Sequence, residues 1–189
     1  ELWEPTTGAI RLLKKYERNA NPTVIPLELE PLESIFVVFA KEDSSSSLVT
    51  DTDHNYPEPQ TIATLAGPWT VSFDKSQKGP QAPVVFQSLY DWSTSKEDAI
   101  RYYSGTAVYR TEFTLKDIVP NSPLFINLNE VAVMAKVKVN GQYIGGVWTP
   151  PYRLNISEAI KQGTNKVEIE VVNTWVNRLI GDSKLPVEE

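Results

Sequence analysis

An all-β fold, an antiparallel β-sandwich with two short helices, is what this 189-residue sequence predicts. Three observations predict it. Apolar and polar residues alternate with a period of two along several short runs, as in strands with one face buried and one face wet. Gly, Pro and Asn residues that favour turns separate these runs at close intervals. Helix-like stretches are short and rare, which suits a sandwich better than a mixed fold.

The elements follow in order. Three strand-like runs come first, Ala9 to Tyr16, Thr23 to Leu29 and Ser34 to Ala40. In the third, Ile35 to Phe39 is continuously apolar, as in a strand buried on both faces. Three strands cannot bury two faces alone. Residues 1–42 therefore belong either to the later sandwich or to the end of a preceding domain. Residues 43–61, rich in Ser, Asp and Pro, read as a linker or long surface loop.

Residues 62–189 carry the clearest pattern. Trp69 to Phe73 alternates, and Val84 to Phe86 is a short apolar strand. Ala107 to Leu115 places Ala107, Tyr109, Thr111, Phe113 and Leu115 on its core face. Leu124 to Leu128 follows, and Val131 to Val139 puts a row of small apolar residues on one side. Asn140-Gly141 marks a tight hairpin, because a type I′ turn requires positive φ at both positions. Gln142 to Val147 returns, and Lys166 to Val172 alternates Val167, Ile169 and Val171 with charged neighbours. One helix is predicted from Ser95, as N-cap, to about Tyr102. A second is predicted at Glu158 to Gln162, capped by Ser157 and ended by Gly163.

Composition narrows the function. The net charge of −6 lacks the basic footprint that nucleic acid selects. No apolar run reaches the roughly 20 residues that span a bilayer. With no Cys there is no disulfide, thiolate nucleophile or Cys-based zinc site. Cysteine absence fits the cytoplasm and bacterial export equally. The chain starts at Glu1 without initiator Met or signal peptide, which reads as a processed or engineered fragment.

Catalytic signals are weak. The single histidine, His54, lies in the polar linker, where nothing orients an imidazole. Asp51, Asp53 and His54 read as linker polarity rather than a metal clip, and no metal or cofactor is expected. Glycoside hydrolysis needs two carboxylates at a set separation, one with a raised pKa. Glu112, Glu168 and Glu170 instead read as charges on a solvent face. Gly145-Gly146 is too short for a phosphate loop.

The segment from Tyr103 to Phe113, with Gly105, Tyr109, Arg110 and Phe113, resembles a strand of the sugar-binding sandwich domains of family 2 glycoside hydrolases. The runs Val139 to Gly145, Pro151 to Ile156 and Gly163 to Ile169 are similar to later parts of the same domain. Val172 to Asp182, then Leu185-Pro186, resembles the C-terminal sandwich of family 106 α-L-rhamnosidases. Pro26 to Pro31 and Ser34 to Phe39 resemble the stretch preceding it. The resemblance implies a galactose-binding-like jelly roll attached to a catalytic (β/α)-barrel. Such a barrel takes about 250 residues and does not fit in this chain. It also implies secretion or a periplasmic location. The implied role is a noncatalytic accessory module that packs on the barrel and lines the substrate cleft. An autonomous carbohydrate-binding module is the rival, with carbohydrate as ligand, and an enzyme in its own right comes last.

No catalytic residue is assigned. The candidate saccharide contacts are Trp92, Trp148, Tyr152, Arg153, Trp175, Asn177 and Arg178. Trp148 to Arg153 is a Pro-rich loop whose rings would be held with little entropy lost on binding. Packing in the core or on a barrel explains the same rings. Trp175 is expected to pack, and Arg178 and Asp182, four apart, to pair in a loop after the last strand. Asn155-Ile156-Ser157 is a glycosylation sequon, meaningful only in a eukaryotic secretory host.

Overall fold

A computed structural model describes residues 1–18, 22–39, 55, 56, 58–119 and 122–186. The chain divides into two compact units, Glu1–Ile62 and Ala63–Glu189.

The first unit is built from very short strands. β1 (Leu2–Trp3) pairs antiparallel with β2 (Ile10–Arg11) and with β5 (Phe36–Val37), and β3 (Glu17–Arg18) pairs with β4 (Thr23–Val24). The long strands expected here are thus two-residue bridges. Residues 35–39 are also not buried on both faces, because Phe36 and Phe39 are exposed. A two-residue ladder leaves no second layer to cover both faces of that run. Order comes instead from Asn55, buried inside the stretch read as linker. Its Oδ1 accepts from Lys15 N–H at 2.8 Å and its Nδ2 donates to the Lys15 carbonyl at 2.7 Å.

The second unit is a β-sandwich. Its main layer joins β6 (Trp69–Phe73), β7 (Val84–Phe86), β8 (Thr106–Leu115), β10 (Met134–Val139), β11 (Gln142–Val147) and β13 (Gly163–Val172). The order is β11-β10-β13-β8-β6-β7, antiparallel throughout. The opposing layer contains β9 (Phe125–Asn127) paired with β12 (Arg153–Asn155). Between the layers lies one apolar cluster. Val71, Ala107, Val137, Val139 and Val167 come from the large sheet, and Ile126 and Ile156 from the region of the small one. The inward rows are those the alternation predicts, since a period of two sends every second side chain to the core.

The hairpin between β10 and β11 has Asn140 at φ 52° and Gly141 at φ 85°, both left-handed as a type I′ turn requires. Asn140 also locks the neighbouring strand. Its Oδ1 accepts from Lys166 N–H, and its Nδ2 donates to the Ala159 carbonyl and to Asn165 Oδ1.

The helices differ from expectation. α1 is one turn, Asp98–Arg101, with Glu97 as the N-cap residue. Ser95 lies farther back and accepts the Glu97 N–H with its hydroxyl. Residues 158–162 form no helix. The Lys161 N–H, which would continue one, donates to the fully buried Asn165 side chain, which bonds back to the Lys161 and Gly163 carbonyls. The other helix, α2, is Val176–Asp182, where a loop was expected.

Candidate functional site

The strand register brings several loops to one end of the large sheet. Across it, Val147 faces Ala135, Ala135 faces Val171, Val171 faces Ala107, and Ala107 faces Phe73. β11 therefore delivers Trp148, and β13 delivers Asn173 to Trp175, at the same edge. Two strand spacings separate those exits, roughly 10 Å.

Tyr103 organises this end. Its ring is buried, and its hydroxyl accepts from Asp74 N–H and donates to the Thr106 carbonyl. Burial, as the leading cause, pushes its pKa up. Asn173 bridges the same turn: its Oδ1 accepts from Gly105 N–H at 2.9 Å and its Nδ2 donates to the Tyr103 carbonyl at 2.9 Å. α2 is pinned against this turn. The Arg178 N–H donates to Ser104 Oγ at 3.0 Å, and Lys184 Nζ donates to the Tyr102 hydroxyl at 2.6 Å. Gly181 lies so close to Tyr102 that an added Cβ would meet its side chain at 2.6 Å.

The seven predicted contacts separate. Trp148 and Trp175 are both exposed, at 66% and 69%. Trp175 therefore does not pack within the described chain, contrary to expectation, because the inward face of α2 is taken by Asn177, Arg178 and Gly181. Arg178 and Asp182 do pair, through Nε to Oδ2 at 3.0 Å and Nη2 to Oδ1, as an i,i+4 pair on a helix rather than across a loop. Asn177 is half-buried. Tyr152 is half-buried against the core, and its carbonyl accepts from Leu128 N–H. Arg153 is exposed on the small layer, its guanidinium 5.1 Å from the Phe125 ring centre. Trp92 is a core residue, with no face open to a ligand. Its ring meets Phe73, Tyr103 and Tyr109, and its Nε1–H donates to the Tyr109 hydroxyl.

Reading residues one at a time missed Ser104 and Tyr102 as the clamp for α2, and Asn173 as the residue that ties its approach to the same turn. The one available signal was the Arg178–Asp182 spacing, which also marks a helical turn.

A second feature is an open groove of about 680 Å³ on the outer face of the large sheet, lined by Thr70, Arg110, Glu112, Lys138, Lys166 and Glu168 among others. Glu168 sits between Arg110 (2.7 Å) and Lys138 (2.9 Å); Lys138 also meets Glu170, and Lys166 meets Glu112. The hydrogen bond from Lys138 is the main reason the Glu168 carboxyl titrates below its ordinary range. A general acid in glycoside hydrolysis needs the opposite shift. Among the described residues, no group of three or more His, Cys, Asp or Glu is placed to hold a metal ion. His54, Asp51 and Asp53 lie outside the described residues. No helix among the described residues is long and apolar enough to cross a membrane.

Known proteins share this fold. A rhamnosidase from Novosphingobium sp. PP1Y matches the whole chain with a TM-score of 0.81 and 35% identity, over 17% of its own length. A Ruminococcus gnavus β-glucuronidase matches 62% of the chain, and 23% of its own, with a TM-score of 0.51 and 25% identity. A Formosa agariphila protein named "Putative beta-glucuronidase" is 39% identical over 146 residues, 76% of this chain and 12% of that protein. The chain thus spans about an eighth of the curated relative's length. The profile of the glycosyl hydrolase 2 galactose-binding domain-like family matches residues 87–186, which takes in the sandwich from β8 onward together with α2. That is more than half of the chain, and the chain belongs to this family of glycoside hydrolase-associated, galactose-binding-like domains.

Proposed function

We propose that this chain is a noncatalytic accessory module of an α-L-rhamnosidase-like glycoside hydrolase. Its main role is structural: it packs on a catalytic barrel and contributes a wall of the substrate cleft. The observation that carries this reading is the full-length match to a rhamnosidase of which the chain represents only 17%. The charge network on the sheet supports it, since Glu168 is held ionised between two cations rather than protonated for acid catalysis. The parent protein works outside the cytoplasm, secreted or periplasmic, in keeping with the family resemblance.

A second reading, an autonomous carbohydrate-binding module, is favoured by one feature. Trp148 stands exposed, and a ring in that position can stack on the C–H face of a sugar. Arg153 is exposed as well, but it already stacks on Phe125.

One experiment separates these readings. The 189-residue chain is incubated with aryl α-L-rhamnosides and β-glucuronides, and printed on a glycan array beside Trp148→Ala. The accessory role predicts no released product and no retained glycan. Product release overturns it in favour of an enzyme. Saturable glycan retention that disappears in Trp148→Ala, with unchanged thermal stability, moves the assignment to a binding module.

A further inference from the structure

α2 is amphipathic in the reverse sense. Trp175, Val176, Leu179 and Ile180 recur at helical spacing on its outward side, exposed at 69%, 54%, 64% and 48%. The half-buried inward side carries Asn177, Arg178 and Gly181, with the Arg178 amide on Ser104 and Gly181 against Tyr102. A surface helix normally turns its apolar stripe to the core. This one cannot roll to do so. The Arg178 amide is fixed to Ser104, Lys184 to Tyr102, and Gly181 is the only residue type that fits against the Tyr102 ring.

The four side chains expose on the order of 500 Å² of largely apolar surface, at the upper end of what a monomer normally shows in one patch. Trp148, also exposed, leaves β11 at the same end of the sheet. A free-standing pair of proteins covers about 800 Å² per partner. Domains of one chain hold together across smaller and more variable interfaces, about 600–1,500 Å², because the linker supplies a high effective concentration. Against an equal partner face this patch gives an interface of about 1,000 Å² counting both sides, inside that range and below the roughly 1,600 Å² total of a free pair, so its size fits a tethered partner better than a free one. The chain also matches the rhamnosidase along its whole length while covering only 17% of it, and on the accessory-module reading the rest of such a polypeptide is a tethered neighbour.

We infer that the Trp175-Val176-Leu179-Ile180 face of α2 is the surface on which this module docks an apolar face of the catalytic domain in the same polypeptide. The inference rests on the accessory-module reading and names the contact that reading requires. The polar clamp beneath α2 then has a purpose, since it presents the apolar side outward in a fixed orientation before the domains meet.

The chain has no cysteine, so Leu179→Cys introduces its single thiol. Iodoacetamide labelling of that position is followed by peptide mass in the 189-residue chain and in the longer glycoside hydrolase polypeptide that contains it. Docking predicts fast labelling in the 189 residues and labelling slower by about tenfold or more in the longer polypeptide. Rates that agree within about twofold overturn the inference, as does slow labelling in the 189-residue chain itself, where a second copy or residues 1–62 would be the cover. In parallel, the double variant Trp175→Ser with Leu179→Ser is compared by thermal unfolding. A lowered transition in the longer polypeptide, with the 189-residue transition unmoved, supports docking; no change in either overturns it. Glycosidase activity of the longer polypeptide is assayed alongside. An active polypeptide with an open Leu179→Cys thiol removes only the docking surface. A polypeptide with no glycosidase activity removes the accessory-module reading beneath it.

Discussion

Trp92 and Tyr109 hold each other inside the sandwich. The indole N–H donates to the phenol oxygen at 2.5 Å, and the rings lie nearly parallel, 7° apart in orientation with centres 6.5 Å apart. Burial pushes the Tyr109 hydroxyl up to about 12. A tyrosine whose folded pKa lies above its unfolded value contributes stability below pH 10, and that contribution is lost as the pH rises toward 12. Tyr109→Phe leaves the Trp92 N–H buried without its partner, which should cost about 1–3 kcal/mol. Urea unfolding at neutral pH measures this directly, and an unchanged midpoint would remove the bond from the core's energetics. Nothing in Asp91-Trp92-Ser93 shows this from sequence, because one aromatic between polar residues has no periodicity to read. The same blindness holds for Trp175, which looked like a packing residue and stands exposed.

β13 illustrates how an element carries two faces at once. Val167 and Ile169 enter the core, while Glu168 faces Arg110 across one neighbour and Lys138 across the other. Because the Glu168 folded pKa is depressed below the ordinary 4.5, its contribution is present above that value and disappears as pH falls through the lower folded value. Lys138 shifts upward, chiefly through its hydrogen bond to Glu168, so its share persists below 10.5 and is lost as pH rises past its folded value. Glu168→Gln should therefore melt below wild type at pH 7, and the gap between the two should shrink as the pH falls below 4.5. Added salt should narrow the gap at pH 7, since these side chains are partly exposed. A gap that stays constant with falling pH and is unmoved by salt would point to packing rather than charge. The strand itself was readable from alternation. The two helices were less so. Ser157 through Gly163 has good caps, yet a buried Asn165 captures the amide the helix needs. α2 forms where its own sequence looked like loop, because Ser104 holds the Arg178 amide and Tyr102 holds Lys184 just past its end, while Asn173 ties the strand leading into it to the same turn.

At the scale of the whole molecule, the main core cluster lies within the second unit, from Trp69 to Ile169, while among the described residues of the first unit few apolar side chains are buried, Leu2 and Leu13 among them. Stability follows buried apolar area. Residues 63–189 expressed alone should unfold in a single cooperative transition, and residues 1–62 alone should show none; calorimetry of the two fragments tests this. A non-cooperative trace from residues 63–189 would mean that the sandwich depends on the first unit. The sandwich class, the inward rows of β6, β8, β10 and β13, and the Asn140-Gly141 turn were determined by sequence alone, because strand alternation and turn stereochemistry are local properties written in adjacent residues. Tertiary structure alone decided that Trp92 is core, that Trp148 and Trp175 leave the same end of the sheet exposed, and that α2 turns its apolar side outward. Those outcomes depend on side chains distant in sequence, such as Ser104 holding Arg178 and Asn173 holding Tyr103, which meet only when the strand register brings their loops together.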